Sequence, residues 1–224
     1  DKVARLLAYF KKIDKAKILA FADEVKSPDV RNMIKTMVEQ EARSFDQHAD
    51  YLVSLGLIAK KPSNDDVASY KMEFPYYEWD DSLQGVLSAS RISLQFDVEN
   101  GNYPSDYDGL LRSFIGISRG KLTSTTCFLQ TAPTKDEESL EYRFLVISNG
   151  KCFVMVPEDQ GDWYDMEAFD KLTEVLTNDL KLEERFNPVQ NDGQNAWYIF
   201  GKPDRVAKLK DDYFLNEAAS TNEE

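Results

Sequence analysis

The sequence predicts an α+β protein, in which an N-terminal helical hairpin or three-helix unit precedes a mainly antiparallel sheet with packed helices. Two observations predict this class. Apolar residues recur with the period of a helix over residues 1 to about 60. After residue 90 the pattern changes to the two-residue alternation of strands, and helical spacing returns at residues 165–180 and 203–214. Strands that are grouped together, rather than alternating with helices, favour an α+β arrangement.

The N-terminal region keeps helical spacing up to residue 25, either with a break near Asp14 or as one bent helix. A helix start follows, because Ser27 is a favourable N-cap, Pro28 suits the first helical position and Asp29 favours the positive end of the helix dipole. We expect this helix to run from residue 28 to about residue 55 and to end at Gly56. Its apolar face requires partner helices. That face consists of Val30, Ile34, Met37, Val38, Phe45 and Leu52.

The second half of the chain predicts five strands. They are residues 91–98, 121–131, 140–146, 151–156 and 196–200. Asn149 and Gly150 lie between the third and fourth of these strands, and this dipeptide is the strongest short-range signal for a β-hairpin. The last strand is a continuous apolar run, which is typical of an inner strand.

Turn-forming and charged residues divide the chain. Residues 60–66 combine lysines and aspartates with proline, serine and asparagine, which makes them the best candidate boundary. The predicted organisation is a helical region at residues 1–60, a connector with an aromatic cluster at residues 61–80, an antiparallel α+β domain at residues 81–216 and an acidic tail at residues 217–224.

The composition is acidic, with 40 Asp and Glu against 27 Lys and Arg and a formal net charge of −13. A negative field repels phosphate backbones and anionic lipids, so nucleic acid and membrane are not expected as partners. Cys127 and Cys152 are too few for a disulfide framework, and a single pairing between neighbouring strands stays open. We expect an intracellular, cytoplasmic location, while a removed targeting segment also stays open.

His48 is the only histidine, and it lies on the apolar stripe of the predicted helix together with Glu41. Seven residues place the two about 10.5 Å apart along the helix axis and nearly in line. We therefore expect both side chains to face inward. Three interpretations follow: a buried histidine hydrogen-bonded to a neighbouring helix, an interface with a partner, or a metal or catalytic site.

Two further segments are candidate sites. Asp97, Glu99, Asp106 and Asp108 belong to a loop dense in oxygen ligands that suits a hard cation such as Ca²⁺, although the same residue types also form ordinary turns. An aromatic stretch contains Tyr76, Tyr77 and Trp79, which stack on sugars or anchor a protein partner if exposed, and join the two regions if buried.

These features predict a non-catalytic, acidic protein-interaction factor, such as an inhibitor, an immunity-type neutraliser or an assembly subunit. The sequence contains no Gly-x-Ser-x-Gly elbow and no phosphate-binding glycine motif, and no cofactor is expected. The net charge favours a basic protein as the partner. The predicted partner-binding residues are Tyr76, Tyr77, Trp79, Glu41 and His48. A carboxylate-dependent or metal-assisted hydrolase, using residues 97–108 or 162–167, is the first alternative, and a sugar or small-ligand module is the second.

Overall fold

The computed structural model describes residues 15–73, 82–99, 107–123, 125–133, 140–191 and 194–215. Within these ranges the chain forms eight helices and two three-stranded antiparallel sheets, and helices precede the strands, so the predicted α+β class is confirmed. The helices are α1 (Lys15–Glu24), α2 (Pro28–Glu41), α3 (Phe45–Ser54), α4 (Asn64–Glu73), α5 (Leu83–Ala89), α6 (Tyr107–Ile117), α7 (Met166–Asp179) and α8 (Pro203–Asp212). The strands are β1 (Ser93–Asp97), β2 (Thr126–Pro133), β3 (Leu140–Ser148), β4 (Lys151–Met155), β5 (Arg185–Asn191) and β6 (Asn195–Gly201). None of the described helices is both long enough and apolar enough to cross a membrane.

The single helix predicted over residues 28–55 is wrong, because the chain forms α2 and α3 with a break at residues 42–44. The Ser44 hydroxyl accepts a hydrogen bond from the Gln47 amide at 3.3 Å, and the Gln47 side chain accepts one from the Ser44 amide at 2.8 Å. This capping box satisfies amide groups at the start of a new helix. The N-cap predicted for α2 is confirmed, since the Ser27 hydroxyl caps its first turn.

The first sheet has the strand order β1-β6-β5, with β6 in the centre. Tyr198 and Phe200 point into a core that α6 and α7 cover, whereas Ile199 points into a second core on the other face. Successive strand residues face opposite sides of a sheet, so the apolar run at residues 196–200 is buried on both sides. The predicted inner strand is confirmed.

The second core lies between the first sheet and helices α3, α5 and α8. This core combines residues from both sides of the boundary predicted near residue 60. The domain limits given in the sequence analysis stay predictions. Its buried members are Ala49, Leu52, Leu57, Ile58, Leu83, Val86, Leu87, Ile92, Val189, Ile199, Val206 and Leu209.

The second sheet has the strand order β2-β3-β4 and contains the predicted hairpin. Asn149 and Gly150 have φ angles of 50° and 73°, which matches the two-residue turn that joins twisted antiparallel strands. Phe144, Val146 and Met155 of this sheet point into the first core. The hairpin prediction is confirmed, and β4 forms an edge of the sheet.

Four described elements were not expected from the sequence: α4, α5, α6 and β5. The helices predicted at residues 165–180 and 203–214 are present as α7 and α8. The pairing of Cys127 with Cys152 between neighbouring strands is wrong, because β3 separates β2 from β4 and both thiols are free.

Candidate protein-binding groove

Glu41 and His48 do not form the inward pair that the sequence predicts. The break between α2 and α3 separates them, and Glu41 is exposed at the end of α2, so the expectation of an inward Glu41 is wrong. The carbonyl oxygen of Glu41 accepts a hydrogen bond from the Lys15 ammonium at 3.3 Å. His48 does point inward and is only 3% exposed.

His48 is held by Tyr213, which follows α8 at the other end of the chain. Its Nδ1 lies 2.8 Å from the Tyr213 hydroxyl, and the Arg43 guanidinium donates to the same hydroxyl at 2.7 Å. Because the Tyr213 oxygen accepts from Arg43, its proton is available for donation to Nδ1. Of the three interpretations given for His48, this geometry matches the first, a buried histidine hydrogen-bonded to a neighbouring helical segment.

A second contact joins the same helices. The Tyr51 hydroxyl donates to the Asp212 carboxylate, and the Gln40 side chain donates to the Asp212 carbonyl oxygen. Lys208 donates to the same carboxylate at 2.8 Å. Burial is the main cause of the raised pKa of Tyr51, and the hydrogen bond to Asp212 raises it further. The phenol therefore remains protonated and can act as a donor. These polar groups fasten α2 and α3 to α8.

The acidic loop is only partly described, because Asp106 lies outside the described residues. The Asp97 carboxylate accepts a hydrogen bond from the Glu99 amide at 2.9 Å, as in an ordinary turn. Asp108 forms an ion pair with Arg112 in the first turns of α6. Among the described residues, no three His, Cys, Asp or Glu side chains converge to hold a metal ion. Tyr76, Tyr77 and Trp79 also lie outside the described residues, so their role stays a prediction.

A groove of about 570 Å³ lies between β4 and α7. Val154 and Val156 on the strand side are 58% and 47% exposed, and Val175 on the helix side is 46% exposed. Leu172 and Ala168 of α7 complete the apolar wall. The volume of this cleft is within the range of about 300–1,000 Å³ that ligand sites occupy.

Backbone groups of β4 form the floor of this groove. In a two-residue hairpin the residues that flank the turn, Ser148 and Lys151, are a hydrogen-bonded pair, and bonded and non-bonded pairs alternate from there. Cys152 and Val154, opposite Ile147 and Leu145, therefore direct their N–H and C=O groups away from β3. No described strand pairs with β4 on that side.

One end of the groove is acidic. Asp165 is buried there as the N-cap of α7, and its two carboxylate oxygens accept from the Ala168 amide at 3.0 Å and the Glu158 amide at 2.9 Å. Glu158 and Glu167 line the same end. The hydrogen bond to Glu167 is the main cause of the raised pKa of Lys171, and the charges of Asp165 and Glu158 raise it further. Three carboxylates thus act on one ammonium group.

Asp165 has a structural role, and the environment of Cys127 disfavours its thiolate form. Asp165, from the segment proposed for a hydrolase, uses both oxygens to fix the start of α7 and the preceding loop. Burial raises the pKa of the Cys127 thiol, which disfavours the nucleophilic thiolate.

The groove was not predicted, although one signal for it exists in the sequence. Residues 151–156, Lys-Cys-Phe-Val-Met-Val, carry apolar side chains at both alternating positions. A strand that is apolar on both faces requires a cover on both, and only the face of Phe153 and Met155 packs on the first core. Comparisons with protein-family models, with curated proteins and with solved structures find no match to this chain.

Proposed function

We propose that this protein is a non-catalytic protein-interaction factor that binds its partner at the groove between β4 and α7. The observation that carries the proposal is the row of exposed valines, Val154, Val156 and Val175, beside a strand edge with which no described strand pairs. Contiguous apolar side chains at a cleft are typical of protein-binding surfaces. In the two acidic candidate segments, Asp97 forms a turn, Asp108 an ion pair and Asp165 a helix cap, which supports binding over hydrolysis.

The net charge supports a basic partner. A chain of charge −13 attracts a positively charged surface within about one Debye length, about 8 Å at physiological ionic strength, and this accelerates their encounter. The same charge opposes association of two copies of the chain, because both carry the same sign. A basic protein therefore fits the groove better than a second copy does.

The first experiment is affinity capture from the native source with three baits: the wild-type chain, Val154→Arg, and Met72→Arg as a matched control. Met72 lies on α4 and is 83% exposed, so it is an apolar residue outside the groove that is more accessible than Val154. We expect a specific partner to be retained by the wild-type and Met72→Arg baits and lost from Val154→Arg. Equal retention by all three baits would place binding elsewhere and contradict the proposal.

Association kinetics with the captured partner then test its charge. The Debye length falls from about 14 Å to about 4 Å between about 0.05 M and about 0.5 M salt, so the on-rate is expected to fall at least about tenfold. An on-rate that does not depend on salt would contradict a basic partner, even if the groove binds it.

A further inference from the structure

We infer that the groove accepts an extended, basic-ended segment of the partner as a fourth strand on the free edge of β4. This inference rests on the proposed protein-binding function and specifies its mode. Peptides that add to an exposed sheet edge gain main-chain hydrogen bonds for affinity and side-chain pockets for specificity. The described structure offers both on the same side of one strand.

The edge of β4 is open to pairing. Natural sheets protect exposed edges with prolines, bulges or charged side chains. The middle of β4 contains none of these, since its single charged residue, Lys151, is at the first position and pairs with Asp179 of α7. Between that ion pair and the acidic end, the outward backbone groups of Cys152 and Val154 pair with no strand among the described residues. The five residues of β4 span about 17 Å at about 3.4 Å per residue, which suits a segment of about five residues.

The side chains beside this edge define the segment's pattern. Phe128, Leu145 and Val154 lie next to one another across the three strands, so a residue added opposite Val154 extends an apolar row. Residues on the other face of the added strand would meet Leu172 and Val175 of α7. Both faces are therefore apolar, and β-branched residues fit such a strand best.

The charge of the groove determines where along β4 the basic end of the segment lies. Glu158 and Glu167 line the end beyond Val156, whereas the ion pair of Lys151 with Asp179 closes the opposite end. A lysine or arginine next to the apolar residues of the segment, at the acidic end of the groove, would pair with Glu158. An acidic residue at that position would be repelled by the same carboxylates.

The test uses three synthetic peptides that share a core of five alternating valine and threonine residues. The first, the lysine peptide, carries two lysines at one end of this core. The second is the same peptide with alternate amides N-methylated on its pairing edge, and the third has glutamates in place of the lysines. Binding is measured by titration of the folded wild-type chain, and protection of the Cys152 and Val154 amides is measured by hydrogen exchange. Val154→Pro removes the outward N–H of residue 154, which forms no ladder bond with β3. Val154→Thr is the matched control, because it keeps this N–H.

We expect the lysine peptide to bind and to protect both amides. N-methylation or Val154→Pro is expected to weaken binding at least about tenfold, the loss that corresponds to one or two net backbone hydrogen bonds. Equal binding of the methylated peptide would overturn strand addition. Equal binding of the glutamate peptide would overturn the basic end. Failure of the lysine peptide to bind overturns this inference, whereas the proposed function fails only if capture does not depend on Val154.

Discussion

Gly201→Ala tests whether the N-terminal helical region shares a core with the first sheet. Gly201 ends β6 and is buried, and a Cβ atom there would lie 2.7 Å from Cδ2 of Leu57 and 3.2 Å from Cγ2 of Val206. Carbon atoms pack best at about 3.5–4.0 Å, so Leu57 would have to retreat by about 1 Å. Both neighbours belong to the closely packed second core, which offers little space for this movement. We expect the substitution to lower the free energy of unfolding by about 1–3 kcal/mol.

Chemical denaturation of the wild type and the variant measures this difference. Gly116→Ala is the matched control, because Gly116 lies on the exposed face of α6 and a Cβ there meets no atom within 4 Å. It is expected to stabilise the chain by up to about 1 kcal/mol through helix propensity. Gly201→Ala should also cost less in a Leu57→Val background, by at least about 0.5 kcal/mol. If Gly201→Ala changes stability by less than about 0.5 kcal/mol, the packing of Leu57 on the sheet is wrong.

Three further predictions follow from the contacts described above. Tyr213→Phe removes the hydroxyl paired with buried His48 and is expected to cost about 1–3 kcal/mol, with less cost in a His48→Leu background; additive costs in a double-mutant cycle would refute the pairing. The pKa of Asp212 is lowered, mainly by its hydrogen bond to Lys208. Its ionised form therefore stabilises the fold at pH values above the carboxyl pKa of the unfolded chain. This contribution is lost as the pH falls through the lowered pKa. The stability difference between wild type and Asp212→Asn, expected to be under about 1 kcal/mol for this partly exposed group, should therefore disappear at pH values below the lowered pKa of Asp212, and a difference that persists there would contradict the assignment. At about 1 M salt, where the Debye length is about 3 Å, we expect weak self-association that Val154→Pro suppresses; light scattering that is identical for both proteins would argue against an open β4 edge.

The elements that the sequence predicted correctly are those with a local cause. Asn149 and Gly150 both adopt positive φ angles, which few other dipeptides tolerate, so the hairpin could be predicted from two residues. The break between α2 and α3 also has a local cause. Ser44 and Gln47 form a capping box, but the apolar stripe continues from α2 into α3 and favoured a single helix.

Two of the elements that were not predicted differ in how far the sequence indicates them. Helix α6 has buried residues Tyr107, Leu110, Leu111 and Phe114 at helical spacing, so the pattern was present, but its start overlaps the acidic loop that was interpreted as a cation site. Strand β5 contains Pro188, which disfavours a central strand. The structure places β5 at the edge of the first sheet, and its register is irregular at Pro188. This edge position is set by the neighbouring strands and not by the sequence of β5 itself.

The candidate sites depend even more on long-range packing. His48 could be predicted as inward from its stripe, but its partner Tyr213 is 165 residues away and becomes adjacent only when α8 packs against α3. The groove likewise requires β4 to be an edge strand and α7 to lie beside it. The sequence of residues 151–156 specifies a strand, but the sheet order decides which of its edges remains unpaired.

The edge of β4 and the net charge of the chain are physically connected. Within the described structure, β5 places a proline and an irregular register on one sheet edge, whereas β4 leaves its central backbone groups and Val154 open. An open apolar edge invites pairing with any extended chain, including a second copy. A charge of −13 discourages that copy and at the same time attracts a basic segment. We expect the acidity to disfavour nucleic acid and anionic membranes as partners; the same charge makes an unprotected edge tolerable, and it fits the basic partner that we propose.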